Sequence, residues 1–430
     1  MKMKPWLGLF PARSAFTPSI LLLLAFAGCS ETATSTRIQD AATGTIDAKT
    51  NSPSDAPATA LQDAADAGGR ASIDTPRATL VPGRFTGVSD MLFARSNHTA
   101  TLLPDGTVLI AGGLPPANSA DAGTPTGTAE LYDPATKAFV STGEMNVSRS
   151  SHTATLLKNG QVLLVGGSVY PGIWWATTLV KTAELYDPVH KTFTPTGSLT
   201  YPRTKHVAVL LPSGKVLIAG GGFDISTPSP TVDEVYDPDT GEFSRVGTPT
   251  MSGNHAAAFS LSDGTALLLG SDTTLNPDGL NADLFHPDTA IETPYKFKDQ
   301  VAPRGSDHAG QLPDGTILYL SDSGNLSILD PATKAITVLS AFGHSNYRLA
   351  LLADSSALLF GVDSALTTSN PGAFRFDLAA RTLIPTTNAP LAKTDAVPER
   401  LSDGKLLITG GTPPGTALPV ATAQIYDPKP

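Results

Sequence analysis

The chain has 430 residues, of which 16% are charged, and it contains 39 glycines and 36 prolines. This abundance of turn-forming residues favours many short strands and argues against long helices. The formal net charge of −10 disfavours nucleic acid or an anionic lipid surface as a partner, because both attract clusters of Lys and Arg.

The N-terminus has the pattern of an export signal. Three basic residues precede the apolar run 20–28, which is followed by Cys29. A basic segment, a short apolar segment and small residues before a cleavage point predict a signal peptide over residues 1–28. The apolar run is too short to cross a bilayer as a helix. Residues 26–29, Phe-Ala-Gly-Cys, resemble the bacterial lipobox, although Phe26 stands where Leu is usual.

This resemblance implies that Cys29 is lipidated and becomes the new N-terminus of an exported protein. Ser30, rather than Asp, follows the cysteine, which resembles the pattern that directs lipoproteins to the bacterial outer membrane. The alternative is ordinary cleavage that leaves an unmodified thiol. Because Cys29 is the only cysteine, an internal disulfide cannot contribute to stability.

A low-complexity segment follows, over residues 29–78. It is rich in Ala, Ser, Thr, Asp, Pro and Gly, and it lacks aromatic residues and apolar periodicity. Such a composition cannot bury enough apolar surface to offset the chain entropy. We therefore predict a flexible tether with a root-mean-square reach of roughly 35–40 Å.

From residue 79 the chain is built of repeats of about 50 residues. Four side chains recur at intervals of 54 residues: Phe85, Met91, Arg95 and His98; then Phe139, Met145, Arg149 and His152; then Phe193, Leu199, Arg203 and His206. Each repeat contains four short apolar runs. This period and this number of runs predict a radial array of small sheets, an all-β propeller over residues 79–430.

Two series of turns give the number of blades. The first series falls at Asp105, Asn159, Ser213, Asp263, Asp314, Asp354 and Asp403, and the second at Asp133, Asp187, Asp237, His286, Asp330, Asp377 and Asp427. Seven turns of each kind predict seven blades of four strands, A to D. The last repeat ends without a strand D, whereas residues 84–87 align with the D strands of later repeats. We therefore predict that this N-terminal strand completes the seventh blade and closes the ring.

The first repeat shows the expected character of each strand. Strand B, 107–111, is apolar on both faces, as a strand between two neighbouring blades must be. Strand C, 128–132, mixes Ala129 and Leu131 with Glu130, which favours a more outward position for this strand.

Tandem Gly-Gly after strand B, Tyr-Asp-Pro after strand C, an aromatic residue in strand D and Arg-x-x-His before strand A resemble a kelch repeat. The chain from residue 79 is similar to bacterial kelch-repeat lipoproteins within the galactose oxidase-like superfamily. The resemblance implies binding of a protein or carbohydrate partner. Copper oxidases of this superfamily need a cysteine crosslinked to tyrosine, and residues 79–430 contain no cysteine. An epimerase- or lyase-type enzyme that acts on carbohydrate is the alternative.

The connections fall on two faces. The A–B and C–D turns are short and form one face, whereas the B–C and D–A connections vary in length and form the other, which we name the loop face. Variable loops on a rigid scaffold usually carry function. The longer B–C loop of the second repeat contains Tyr170, Trp174 and Trp175, which could stack on a sugar or a partner side chain. Burial of both indoles against the blade rim is the competing interpretation.

The repeated Arg-x-x-His motifs also lie at the loop face. They are candidate ligand contacts at the mouth of the central channel: Arg95, His98, Arg149, His152, Arg203 and His206. A structural role in the repeat is favoured over a metal site, because the blades separate equivalent positions. The turn aspartates indicate turns rather than calcium ligands, since the dense carboxylate pattern of a calcium loop is missing.

Together these features predict a lipid-anchored, extracytoplasmic binding or scaffold protein that recognises a protein or a glycan with its loop face. We expect no cofactor, no metal, no nucleic acid and a monomeric propeller. The membrane is contacted through the lipid anchor alone.

Overall fold

The computed structural model describes residues 80–116, 119, 124–169, 178–222, 232–247, 255–270, 281–297, 308–321, 324–341, 347–361, 372–387, 389, 393–416 and 418–429. Within these ranges the chain forms strands and turns, and no helix long and apolar enough to cross a membrane occurs. The predicted signal peptide 1–28, with Cys29, and the predicted tether lie outside the described residues.

Seven four-stranded antiparallel sheets form the blades, which confirms the seven-bladed all-β propeller. In chain order the strands are β1 (Arg84–Gly87); β2 (Thr99–Leu102), β3 (Val108–Ala111), β4 (Ala129–Asp133) and β5 (Ala138–Ser141) in blade 1; β6 (Thr153–Leu156), β7 (Val162–Val165), β8 (Ser168–Val169), β9 (Thr178–Leu179), β10 (Thr182–Asp187) and β11 (Thr192–Ser198) in blade 2; β12 (Val207–Leu210), β13 (Val216–Ala219), β14 (Asp233–Asp237) and β15 (Glu242–Val246) in blade 3; β16 (His255–Ser260), β17 (Ala266–Gly270), β18 (Asn281–His286) and β19 (Ile291–Pro294) in blade 4; β20 (Ala309–Gln311), β21 (Ile317–Leu320), β22 (Asn325–Asp330) and β23 (Ala335–Ala341) in blade 5; β24 (Tyr347–Leu351), β25 (Ala357–Gly361), β26 (Ala373–Asp377) and β27 (Thr382–Pro385) in blade 6; and β28 (Val397–Arg400), β29 (Leu406–Thr409) and β30 (Ala423–Asp427) in blade 7.

The core lies between the faces of neighbouring blades. Every residue of β3 is buried, as predicted for strand B. Its side chains alternate: Leu109 packs in a cluster with Val162 of blade 2, whereas Val108 packs in a cluster with Leu407 of blade 7. Burial of each such side chain contributes about 1.5–3 kcal/mol to stability. The period-2 pattern of one strand therefore holds two blade interfaces at once.

Strand β1 pairs with β30 and so completes blade 7, which confirms the predicted closure. The register places Phe85 opposite Tyr426, with ring centroids 4.9 Å apart. The Tyr426 hydroxyl donates a hydrogen bond to the carbonyl of Pro82 at 2.9 Å. The same Tyr–Phe pair joins strands C and D in blades 1 and 2, so the N-terminal strand takes the place of a regular strand D.

Deletion of residues 79–92 is expected to cause aggregation or to lower the melting temperature by at least about 10 °C. It removes β1, exposes the edge of β30 and deletes the buried Phe85 ring. Differential scanning calorimetry and light scattering measure the effect. Deletion of residues 31–75 serves as the control, and equal melting temperatures for the two truncations would contradict the closure.

Strand C (β4) lies outside strand B in blade 1, between β3 and β5, as predicted. Glu130 in this strand is nevertheless buried, and its side chain is 0% exposed. A buried carboxylate needs a cation or several donors as partners. Its partner is the arginine of the same repeat.

Candidate functional site

A two-stranded ribbon rises from blade 2 at the loop face. Strand β8 continues the chain beyond β7, and it pairs with β9 so that Ser168 lies opposite Leu179 and Val169 opposite Thr178. Ser150 and Ser168 exchange two backbone hydrogen bonds at 2.9 and 3.1 Å, which tie the base of the ribbon to the D–A connection of its own blade. The B–C loop of this blade is therefore anchored where it leaves the sheet and where it returns.

The candidate aromatic anchors belong to this loop. Tyr170, Trp174 and Trp175 lie in residues 170–177, outside the described residues. The described part fixes the two ends of that segment, because Val169 and Thr178 are paired. Thr178 is exposed at this position.

The arginines of the Arg-x-x-His motifs are fully buried and bonded inside the blade. Arg149 donates from Nη1 to the carbonyls of Gly166 and Thr182 at 2.8 and 2.9 Å, and from Nη2 to Oε1 of Glu184 at 2.8 Å. Arg95 makes the same contacts with Glu130, and Arg203 pairs with Glu234 at 3.0 Å. Each guanidinium thus holds the loop-face ends of strands B and C together.

The glutamate carboxylate of each Arg–Glu pair also accepts a hydrogen bond from a backbone N–H of the D–A connection. Oε2 of Glu184 accepts the backbone N–H of Asn146 at 2.7 Å and its side-chain amide at 2.8 Å. Glu130 likewise accepts the N–H of Leu92, and Glu234 that of Thr200. The Arg–Glu pair therefore fixes the D–A connection that leads into the innermost strand. Sequence reasoning missed these three glutamates, although they recur at one position of strand C.

The glutamate of the Arg–Glu pair has a raised pKa in blade 1 and a lowered pKa in blade 2. Burial, opposed by Arg95, raises the pKa of Glu130. Burial would also raise that of Glu184, but hydrogen bonds from the side chains of Asn146 and Arg149 outweigh it, so the pKa of Glu184 is lowered. The additional donor is the side-chain amide of Asn146, which Glu130 lacks.

The histidines of the three motifs form hydrogen bonds that connect blades 1, 2 and 3 each to its preceding blade. Nε2 of His98, His152 and His206 lies 2.9–3.1 Å from a threonine hydroxyl of the preceding blade. These threonines are Thr409, Thr99 and Thr153. The pKa of every one of these imidazoles is lowered, chiefly by burial and then by a neighbouring guanidinium, and that of His206 to about 3. They are neutral at pH 7 and bonded within the scaffold.

The tandem glycines Gly112 and Gly113 of blade 1 contact the Arg-x-x-His motif of blade 2. The N–H of Gly113 donates to the carbonyl of Arg149 at 2.9 Å. Gly112 has a φ of +66°, and a Cβ built there would lie 2.8 Å from Cε1 of His152. Glycine is required at Gly112 because its backbone conformation and the neighbouring imidazole both exclude a side chain. Gly-Gly and Arg-x-x-His are thus the two halves of one interblade contact.

Comparisons with known proteins agree with this architecture. The propeller is similar to the solved structure of a fungal alcohol oxidase of the AA5 family in complex with copper, with a TM-score of 0.59, 16% identity, and coverage of 81% of this chain and 77% of that one. The likeness to that structure is one of fold, the seven-bladed β-propeller. This chain is also 32% identical over 121 residues to galactose oxidase of Gibberella zeae, and 32% identical over 97 residues to spermatocyte protein spe-26 of Caenorhabditis elegans.

These sequence matches are partial. They cover 27% and 23% of this chain, and 18% and 15% of the two relatives, so the chain spans less than a fifth of the length of either. No protein-family model matches the chain.

The side chains that this structure describes do not fit a copper centre. No group of three His, Cys, Asp or Glu side chains among them is arranged to hold a metal ion. The repeated histidines already bond threonine through Nε2. The sequence has a single cysteine, Cys29, which precedes the propeller, so a cysteine–tyrosine crosslink cannot form within residues 79–430.

Proposed function

We propose that this protein is a membrane-anchored, extracytoplasmic binding module that recognises a protein or a glycan with the loop face of its propeller. The observation that supports this most is the β8–β9 ribbon, whose paired strands anchor the two residues that flank the segment 170–177. A segment held at both ends loses less conformational entropy on binding than a free loop does.

Backbone hydrogen bonds at the base of the β8–β9 ribbon hold it in place. Gly167 donates to the carbonyl of Arg203 in blade 3 at 2.8 Å, and Val180 donates to the carbonyl of Gly167 at 2.9 Å. The ribbon is thus bonded to its own blade and to the next one. Trp and Tyr are the residue types that most often dominate binding energy at such a surface.

An epimerase or lyase would need Arg, His and acidic groups that are free to meet a substrate. The arginines and histidines of the repeated motif are buried and bonded to glutamates, carbonyls and threonines. Their geometry serves the scaffold, and this favours recognition over catalysis at the loop face.

Replacement of Trp174 and Trp175 by Ala is expected to weaken ligand binding by at least about tenfold, since a hot-spot indole contributes roughly 2 kcal/mol or more. A glycan array and a pull-down from envelope extract compare this double variant with the wild type. The melting temperature should move little. A double variant that unfolds would show that both rings are core residues and would overturn the assignment.

Replacement of Cys29 by Ser tests the proposed anchor. If Cys29 is lipidated, the variant should leave the membrane fraction or retain its signal peptide, and the wild type should sediment with the outer membrane. Fractionation followed by mass spectrometry of the N-terminus measures both. A wild-type protein that is wholly soluble after lysis would contradict lipid anchoring.

A further inference from the structure

The innermost strand of blade 7 differs in charge from those of blades 1 to 3. The inner strands of blades 1 to 3 read TATL, TATL and VAVL, whereas β28 reads VPER. The register of β28 places Glu399 where blade 1 has Thr101, and Arg400 where it has Leu102. Strand β28 therefore carries an acidic and a basic residue at positions where the inner strands of blades 1 to 3 carry uncharged residues.

Both residues line one cavity. It has a volume of about 730 Å³ and lies at the turn end of the inner strands, between the A–B hairpin of blade 7, Leu102 of blade 1 and Ala353 of blade 6. Cavities of about 300–1,000 Å³ are typical of small-molecule sites. Because neighbouring residues of a strand point to opposite faces, Glu399 and Arg400 do not pair with each other.

The Glu399 carboxylate and the Arg400 guanidinium can each form further hydrogen bonds. Oε1 of Glu399 accepts the N–H of Leu102 at 3.2 Å, and Oε2 has no donor among the described residues. Arg400 is exposed, and its guanidinium has no ion pair or hydrogen bond within the same ranges. The other carboxylate of the cavity, Asp403, is already paired with Lys405 at 2.9 Å.

We propose that this cavity binds a small zwitterion, such as a short peptide, with its ammonium group at Glu399 and its carboxylate at Arg400. A free guanidinium selects a carboxylate by paired N–H donors. A carboxyl oxygen without a donor selects an ammonium. A ligand that carries both charges satisfies both groups, whereas a simple anion or cation satisfies one. This site is independent of the loop-face function proposed above.

The protonation of Glu399 supports the assignment. Burial raises its pKa to about 7, against the N–H of Leu102 and the charge of Arg400, which lower it. The carboxylate is the form that attracts an ammonium, so binding should strengthen as pH rises through about 7. The other charged residues that line the cavity are Arg400 and Asp403, and Asp403 is paired with Lys405.

Titration of the full-length protein with glycylglycine, followed by saturation-transfer NMR at pH 6 and pH 8, tests the proposal. Acetate and methylammonium are the single-charge controls. We expect glycylglycine to bind at least about tenfold more tightly than either, and more tightly at pH 8. Glu399→Gln and Arg400→Gln should each weaken binding by at least about tenfold, and Arg381→Gln, an exposed arginine elsewhere on the turn face, should not.

The glutamine side chain can still accept the N–H of Leu102, so Glu399→Gln should fold, and thermal melting checks this. Glycylglycine that binds no better than acetate, or equal binding by the wild type and both cavity variants, would overturn the proposal.

Discussion

Replacement of Arg149 by Leu is expected to lower the free energy of unfolding by about 3–5 kcal/mol, which is the usual effect of removing one partner of a buried ion pair. The loss has three sources in this structure. The carboxylate of Glu184 remains 1% exposed without its cation, and the carbonyls of Gly166 and Thr182 lose their shared donor. Urea unfolding at pH 7 measures the change.

Two further variants distinguish the effect of breaking the Arg149–Glu184 pair from the effect of removing any arginine. Arg245→Leu removes an exposed guanidinium that stacks on Tyr201, and it should lower stability by at most about 1 kcal/mol. The double variant Arg149→Leu with Glu184→Leu leaves no unpaired charge, so it should be less destabilised than the sum of its single variants. Strictly additive single variants would contradict a direct Arg149–Glu184 interaction.

Replacement of Glu292 by Gln is expected to stabilise the protein and to reduce the pH dependence of its stability. In blades 1, 2, 3 and 7 a tyrosine of strand C lies opposite a phenylalanine of strand D, but in blade 4 the register pairs Phe285 with Glu292. The Glu292 carboxyl is 6% exposed, and neither of its oxygens has a hydrogen-bond donor within the described residues.

The charges around Glu292 oppose its ionisation. Burial, the neighbouring Asp233 and then Asp283 raise its pKa to about 9. Nη1 of Arg203 lies 3.8 Å from Oδ1 of Asp233, but Arg203 is already paired with Glu234 at 3.0 Å. The folded protein therefore retains a proton that the unfolded chain releases above its usual pKa of 4.5. Because the folded-state pKa is raised, this stabilisation is complete below about 4.5 and is lost as pH rises toward 9.

The amide that Glu292→Gln introduces is neutral at every pH and can donate to the Asp233 carboxylate. Each pH unit in this window can contribute up to about 1.4 kcal/mol. Urea unfolding of the wild type and Glu292→Gln at pH 5, 7 and 9 should show a smaller decline in the variant, by at least about 1 kcal/mol. Glu242→Gln, at an exposed position of strand D in blade 3, should follow the wild type. Parallel curves for Glu292→Gln and the wild type would contradict a shifted pKa of Glu292.

Most of the fold could be predicted from the repeat. The 54-residue interval alone placed residues 84–87 in the seventh blade, because a closed ring needs every strand D. The burial of Glu130 could not be read from the strand pattern, because the arginine that compensates its charge lies 35 residues away. Glu292 and Glu399 were missed because neither belongs to the repeated pattern. Their importance comes from tertiary surroundings that the spacing of motifs does not encode.

The central claim is that the ligand meets the loop face, and photocrosslinking from two positions of blade 2 tests it most directly. Thr178 lies in the ribbon on the loop face, whereas Val189 is 82% exposed in the C–D turn on the opposite face. Each is replaced by a photoreactive phenylalanine analogue in the full-length protein, which is then irradiated in envelope extract. We expect a discrete crosslinked product from position 178 and none from position 189. Crosslinking from position 189 alone would contradict the proposed function.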